Sequence, residues 1–406
     1  MIHKLSNGLT LLTHNMPNAE SVTINVLVKL GSRYEEECEN GICHFLEHMA
    51  FKGTHKYGYK EIAEIFDSIG GSFNAYTSKE HTVYYAKVLK EDWEQALEIL
   101  YDIIMNSVYP QQEIDKEKMV IFQEIARNED SPEDIVYDNL IKSVYKDQPL
   151  GRCILGTREK ISQFTRQDFI NYVKRYHTAH NIIVSVAGKI HEAELLNKCE
   201  GYFGNIDKGN QSHFKPAKYY KSNIAQKKDL QQTHIAIAYK SHGYMDIEMK
   251  AKIDMLSIII GGGISSRLFQ TIREDLALCY CVGASNYAFS ESGLFIVYLA
   301  TDHDKESFAI DKSIEILNNF NFLEEELSRA KKQLLSSILM AYESGSYIAG
   351  SMAKFYCAYS RHVSKEELIS LINNVNINHI SKAAKNLFEE GNYSISKLGP
   401  KVEENI

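Results

Sequence analysis

His44, Glu47 and His48 are the residues of this chain whose types and spacing could do chemistry together. They sit in Gly41-Ile42-Cys43-His44-Phe45-Leu46-Glu47-His48-Met49-Ala50-Phe51, an otherwise apolar run. On a helix, His44 and His48 lie one turn apart on one face, and Glu47 borders that face. Two imidazoles and an adjacent acid can converge on one ion. Zinc suits such a set, because catalytic zinc sites typically take three protein ligands and keep a position for water. The order H-x-x-E-H is the inverse of H-E-x-x-H. The chemistry it suggests is metal-dependent hydrolysis.

The elements that must position this run follow from periodicity. Leu9 to Leu12 and Val22 to Leu30 read as strands, the second alternating through Val22, Ile24, Val26 and Val28. Glu35-Glu36-Glu37-Cys38-Glu39-Asn40 reads as a solvated approach to the motif helix. Tyr59 to Ile69 has the spacing of a one-sided helix and ends at Gly70-Gly71. Two strands follow, Phe73 to Thr77 and His81 to Val88, then helices over Trp93 to Met105 and Gln111 to Asn128. Helical spacing resumes from Ile135 to Tyr145, and Asn181 to Gly188 is a compact apolar strand.

Periodicity fades from Gly201 to Lys228, which marks a linker. The expected organisation is a zinc-binding catalytic domain over 1–205, a linker over 206–228 and a related domain over 229–406. Element order repeats across the linker. Ser21 to Val26 is matched by Thr233 to Ala238, the motif helix by Ala251 to Ile260, and the strand through Val83 by that through Leu294. Trp93 to Met105 pairs with Ser307 to Leu317, and Gln111 to Asn128 with Glu325 to Met340. The fold class expected is α+β: two similar units, each an antiparallel-rich mixed sheet with packed helices. Only the first copy carries the histidine pair. The second has Gly261-Gly262-Gly263 instead, without the Gly-Lys-Ser/Thr that a phosphate loop would need.

Composition narrows the function classes. The chain has 406 residues, a net charge of -8 and no basic block, so nucleic acid is not an expected partner. No apolar run reaches membrane-spanning length, so no membrane insertion is expected. Seven cysteines without a CxxC pair suit free thiols in a reducing compartment. The N-terminus shows no apolar signal core and no Arg-rich leader. The expected location is a bacterial cytoplasm, with a mature organellar form left open.

Three stretches together resemble the mitochondrial processing peptidase and pitrilysin family of inverted-motif zinc peptidases, most of all the roughly 400-residue beta-subunit type and its bacterial relatives. They are His44 to Thr54, Phe73-Asn74-Ala75-Tyr76-Thr77, and Ser265 to Gln270 running on through Arg273 and Tyr280. The resemblance implies one Zn2+ per chain, with a third ligand on another helix about 75 residues after His48. Glu124 fits that place, and Glu117 becomes a supporting acid beside the ligands. It further implies that Glu47 is the general base rather than a ligand. Arg273 would anchor the peptide, Tyr280 would donate to the oxyanion, and Asn74, Ala75 and Tyr76 would border the substrate cleft. Arg273 and Tyr280, seven apart, would share a face if helical. The implied activity is zinc endopeptidase action on unfolded peptides or N-terminal extensions. General degradation of short peptides and a noncatalytic scaffold are the alternatives. A homodimer, or a pair with a degenerate paralogue, would complete the chamber that larger relatives build from four units.

Overall fold

The computed structural model describes residues 1–389 and 391–402. The chain forms two compact units. The first is built from Met1–Ala126, Arg152–Lys215 and Met340–Val363, and the second from Arg127–Gly151, Pro216–Leu339 and the residues from Ser364 onward.

The first unit holds a six-stranded sheet. Its strands are β1 (Ile2–Lys4), β2 (Thr10–Asn15), β3 (Ser21–Val28), β4 (Ser72–Thr77), β5 (Thr82–Leu89) and β6 (Ile182–Gly188), in the spatial order β1-β2-β6-β3-β5-β4. Only β2 and β6 run parallel; the other neighbours are antiparallel. On one face lie α1 (Ile42–Ala50), α2 (Tyr59–Ser68) and α3 (Trp93–Met105), packed through Phe45, Ile62, Leu97 and Leu100. The long α4 (Gln111–Asp130) adds Ile114, Ile121 and Ile125 to that core.

The second unit has a five-stranded sheet of β7 (Asn223–Lys227), β8 (Thr233–His242), β9 (Cys279–Ala288), β10 (Ser292–Thr301) and β11 (Tyr393–Gly399), ordered β7-β11-β8-β10-β9. Again one pair, β7 with β11, is parallel. The expected α+β class with antiparallel-rich mixed sheets is what the structure has, and β3-β5-β4 is matched by β8-β10-β9.

The units are not two consecutive stretches of chain. α5 (Pro132–Val144) packs on β8 and β11, burying Val136, Leu140 and Val144 in the second unit. In return the helix Gly345–Tyr359 lies on β3 and β6 of the first, through Ile348, Ala349, Met352 and Ala353. The exchange explains why β3, which alternates in sequence, is buried on both faces. Thr23 and Asn25 face the visiting helix, where the Thr23 hydroxyl meets that of Ser346 at 3.2 Å. A division at 206–228 therefore does not follow the units, and β7 falls inside the segment expected to be linker. Among the described residues no helix is long and apolar enough to cross a membrane.

Candidate zinc centre

The motif helix α1 is amphipathic: Ile42, Cys43, Phe45, Leu46, Met49 and Ala50 are buried, while Glu47 and His48 are half-buried beside the buried His44. Its N-terminus is held from outside. Glu35, 2% exposed, accepts hydrogen bonds from Asn40 Nδ2 (3.0 Å) and the Gly41 N–H (2.9 Å) on Oε2, and from the Cys43 N–H (3.0 Å) on Oε1. This overturns the expectation of a solvated approach at Glu35 and Asn40; Glu36, Glu37 and Cys38 are exposed as expected. The reason is that the first backbone N–H groups of a buried helix need an acceptor, and water cannot reach them. Gly41 takes φ +98°, and a Cβ there would meet Ile161 Cδ1 at 2.8 Å, so glycine is required at the turn into the helix.

α1 and α4 bring the expected ligands together. Glu124 Oε2 lies 3.4 Å from His44 Nε2 and 3.5 Å from His48 Nε2. All three donor atoms fall within 4.8 Å of one another. Donors bound to a tetrahedral zinc at its usual bond lengths stand about 3.4 Å apart, so the set fits the ion. Glu117, on the same face of α4 seven residues earlier, accepts from His48 Nδ1 at 3.0 Å and pairs through its other oxygen with Lys52 Nζ. That bond commits Nδ1 as the donor and leaves Nε2 of His48 for a metal.

Electrostatics separate the two imidazoles. Burial, reinforced by the neighbouring His48 charge, holds His44 down to about 4, so it stands neutral and ready to ligate. For His48 burial works in the same direction but is outweighed by the hydrogen bonds to Glu117 and Glu124, which lift it to about 9, so a metal binding at Nε2 would displace a proton. Burial also raises the carboxyl of Glu47, against the opposing Thr77 hydrogen bond and His48 charge. Glu47 stands outside the ligand set, with its Oε2 accepting from the Thr77 hydroxyl at 2.6 Å.

β4 is an edge strand of its sheet, with β1 at the other edge. Ala75 and Thr77 face α1, whereas Asn74 and Tyr76 face the other side; Asn74 is exposed and its Oδ1 accepts from the Ala75 N–H at 2.8 Å. In the second unit Arg273 sits in the π-helical turn Phe269–Asp275 and Tyr280 at the start of β9. The expected shared helical face is therefore not how they meet. Ala277 at φ +47° turns the chain between them, and the guanidinium lies 4.9 Å from the Tyr280 ring centroid and 4.4 Å from that of Phe269. Tyr280 is 81% exposed. Three contributors escaped the sequence reading: Glu35, Lys52 and Thr77. The last two lie within stretches that carried the resemblance, but their partners are 65 and 30 positions away, beyond any local pattern.

Residues 10–158 match the family described as Insulinase (Peptidase family M16), and 163–334 match the Peptidase M16 inactive domain. An uncharacterized zinc protease of Rickettsia felis is 45% identical over 95% of this chain and 94% of its own length. The chain belongs to peptidase family M16. The M16 likeness extends to an uncharacterized zinc protease of Bacillus subtilis, 34% identical over 97% of both chains. It also reaches a probable mitochondrial-processing peptidase subunit beta of Arabidopsis thaliana, 31% identical over 98% of this chain and 77% of that one. The crystal structure of a protease from Helicobacter pylori shares the fold, with a TM-score of 0.90 at 21% identity over 98% of this chain and 99% of the other. With its His44, His48 and Glu124 cluster, this M16 chain is a zinc-dependent metalloendopeptidase with a single zinc site among the described residues. The inactive-domain match falls mainly on the half that lacks the histidine pair.

Proposed function

We propose that this M16 peptidase cleaves internal bonds of unfolded peptides or flexible N-terminal extensions, with Glu47 as general base. The observation that carries this reading is that Glu47 is beside the ligands but not one of them. His44, His48 and Glu124 would hold the zinc ion, which when bound would supply Lewis acidity for activating water and polarising a peptide carbonyl. Glu47 takes the proton from the attacking water and passes it to the departing amine nitrogen. Glu117, through the His48 Nδ1 bond, fixes the ring that ligates. An extended peptide pairs with the free edge of β4 by backbone hydrogen bonds, Asn74, Ala75 and Tyr76 lining its path. Tyr280 donates to the oxyanion and Arg273 anchors the peptide; the exposure of the Tyr280 ring supports a group that meets a ligand.

The likeness to the plant beta subunit favours processing of basic leaders over disposal of short peptides, and the bacterial relatives favour a bacterial, cytoplasmic enzyme. A panel of terminally blocked peptides that includes basic leaders tests this: internal cleavage of leaders is expected, and turnover of short peptides alone would replace processing with degradation. The partner is a second copy of this chain, with a degenerate paralogue as the other outcome. Molar mass by light scattering, and recovery of activity on mixing Glu47→Gln with Tyr280→Phe chains, are the readouts. Wild-type turnover by zinc-loaded Glu47→Gln would remove the general-base assignment.

A further inference from the structure

We propose that Thr77 is the positioning residue for Glu47, and that through it the edge strand β4 sets where the base stands. The proposal rests on the reading of Glu47 as general base. Among the described residues, Thr77 is the one hydrogen-bond donor to the Glu47 carboxylate, at 2.6 Å from Oε2. The direction of that bond is determined by its surroundings. The Thr82 hydroxyl, 3.5 Å from that of Thr77, donates its own proton to the Leu30 carbonyl oxygen at 3.0 Å. With its proton committed there, Thr82 can only accept from Thr77, and at 3.5 Å it is a weaker competitor than the Glu47 carboxylate oxygen at 2.6 Å, which takes the Thr77 proton.

The strand makes the donor stiff. Threonine is restricted at χ1 by its branched Cβ, so the hydroxyl follows the backbone of β4. That backbone is held by the antiparallel pairing of β4 with β5 from Ser72↔Lys87 to Thr77↔Thr82. Glu47, by contrast, is an unbranched side chain that loses considerable rotamer freedom when fixed. One hydroxyl on a rigid strand supplies that fixing. The free edge of the same strand is where an extended substrate pairs, so the scissile bond and the base are both referenced to β4. Small misplacements of a catalytic group cost orders of magnitude in rate, and Thr77 guards against them.

The test uses the full-length, zinc-loaded enzyme with Thr77→Val, Thr77→Ser and Glu47→Gln. Thr77→Val is expected to lower kcat by about 10- to 100-fold, with KM and zinc affinity within about two-fold of wild type. Thr77→Ser, which restores the hydroxyl, is expected to recover most of kcat. Crystallography supplies a readout apart from activity: the Glu47 side chain should occupy several positions in Thr77→Val and one in Thr77→Ser. A single unchanged Glu47 position in Thr77→Val, or wild-type kcat in that variant, overturns the positioning role. So does a parallel loss of zinc affinity, which would mean Thr77 supports the helix and not the base. Wild-type turnover by Glu47→Gln would instead overturn the base reading, and the crystallographic comparison then still decides what Thr77 does. If Thr77→Val does not fold, Thr77→Ala carries the same readouts.

Discussion

Replacing Glu35 tests how the metal-bearing helix is anchored. Glu35→Ala removes the acceptor for the Gly41 and Cys43 N–H groups and for one hydrogen of the Asn40 amide, whose other bond, to the Cys153 carbonyl oxygen, remains. Leaving a buried donor unsatisfied costs roughly 1–3 kcal/mol each. Against that loss, the substitution relieves the burial of a carboxylate, a cost large enough that burial raises the Glu35 carboxyl despite its three donors. The net expectation is a loss of about 2–4 kcal/mol. Glu35→Gln keeps one acceptor oxygen and sheds the charge, so about 1–2 kcal/mol is expected. Urea unfolding at pH 7 in the presence of a chelator reads the stability of the metal-free chain. Zinc titration of the same variants should show weaker binding for Glu35→Ala, because the first turn of α1 leads directly to His44. A cost below about 1 kcal/mol for alanine, or glutamine as damaging as alanine, would refute the account of Glu35 as the acceptor that closes the helix.

Other outcomes follow from the same geometry. Glu117→Gln removes the charged acceptor of His48 and the partner of Lys52, and zinc affinity measured by competition with a chelating dye should fall about 10- to 100-fold; unchanged affinity would leave Glu117 without a tuning role. Tyr280→Phe should lower kcat with zinc occupancy intact, and equal turnover would count against the oxyanion role. His177 is held down to about 4 by burial, against the hydrogen bond to the Ile104 carbonyl oxygen. Its folded value lies below the ordinary 6.5, so the unfolded chain takes up a proton first as pH falls. Its contribution to stability is complete above pH 6.5 and is lost as pH falls towards 4, up to about 3 kcal/mol. His177→Leu should therefore flatten the fall in urea midpoint between pH 7 and 4.5; an unaltered slope would show that His177 is not the group responsible.

The chemistry at His44, Glu47 and His48 was legible because it is local. Spacings of three and four residues on one helix are set by the helix itself, whatever surrounds it. Glu124 is different: nothing local distinguishes it from other helical acids, and it was reached through resemblance, its place confirmed by a donor separation of 3.4 Å from His44. The strands and helices that position the site were readable from alternation and from turn residues, down to Trp93–Met105 with its limits as expected. Glu35 was misread because an acidic run looks solvated until a buried helix end needs an acceptor. Arg273 and Tyr280 were expected to meet along a helix, but a π-helical turn and a left-handed Ala277 bring them together instead.

The sequence by itself determined the motif, the order of the main elements as far as Met340, the duplication and the class of chemistry, because hydrophobic periodicity and motif spacing are written over a few residues at a time. The tertiary structure alone decided the rest: which helix covers which sheet, the exchange of Pro132–Val144 and Gly345–Tyr359, the Glu35 clamp and the Thr77 bond to Glu47. Those depend on which polar groups packing leaves without water, and a buried donor accepts whatever partner the fold delivers, however distant in the chain.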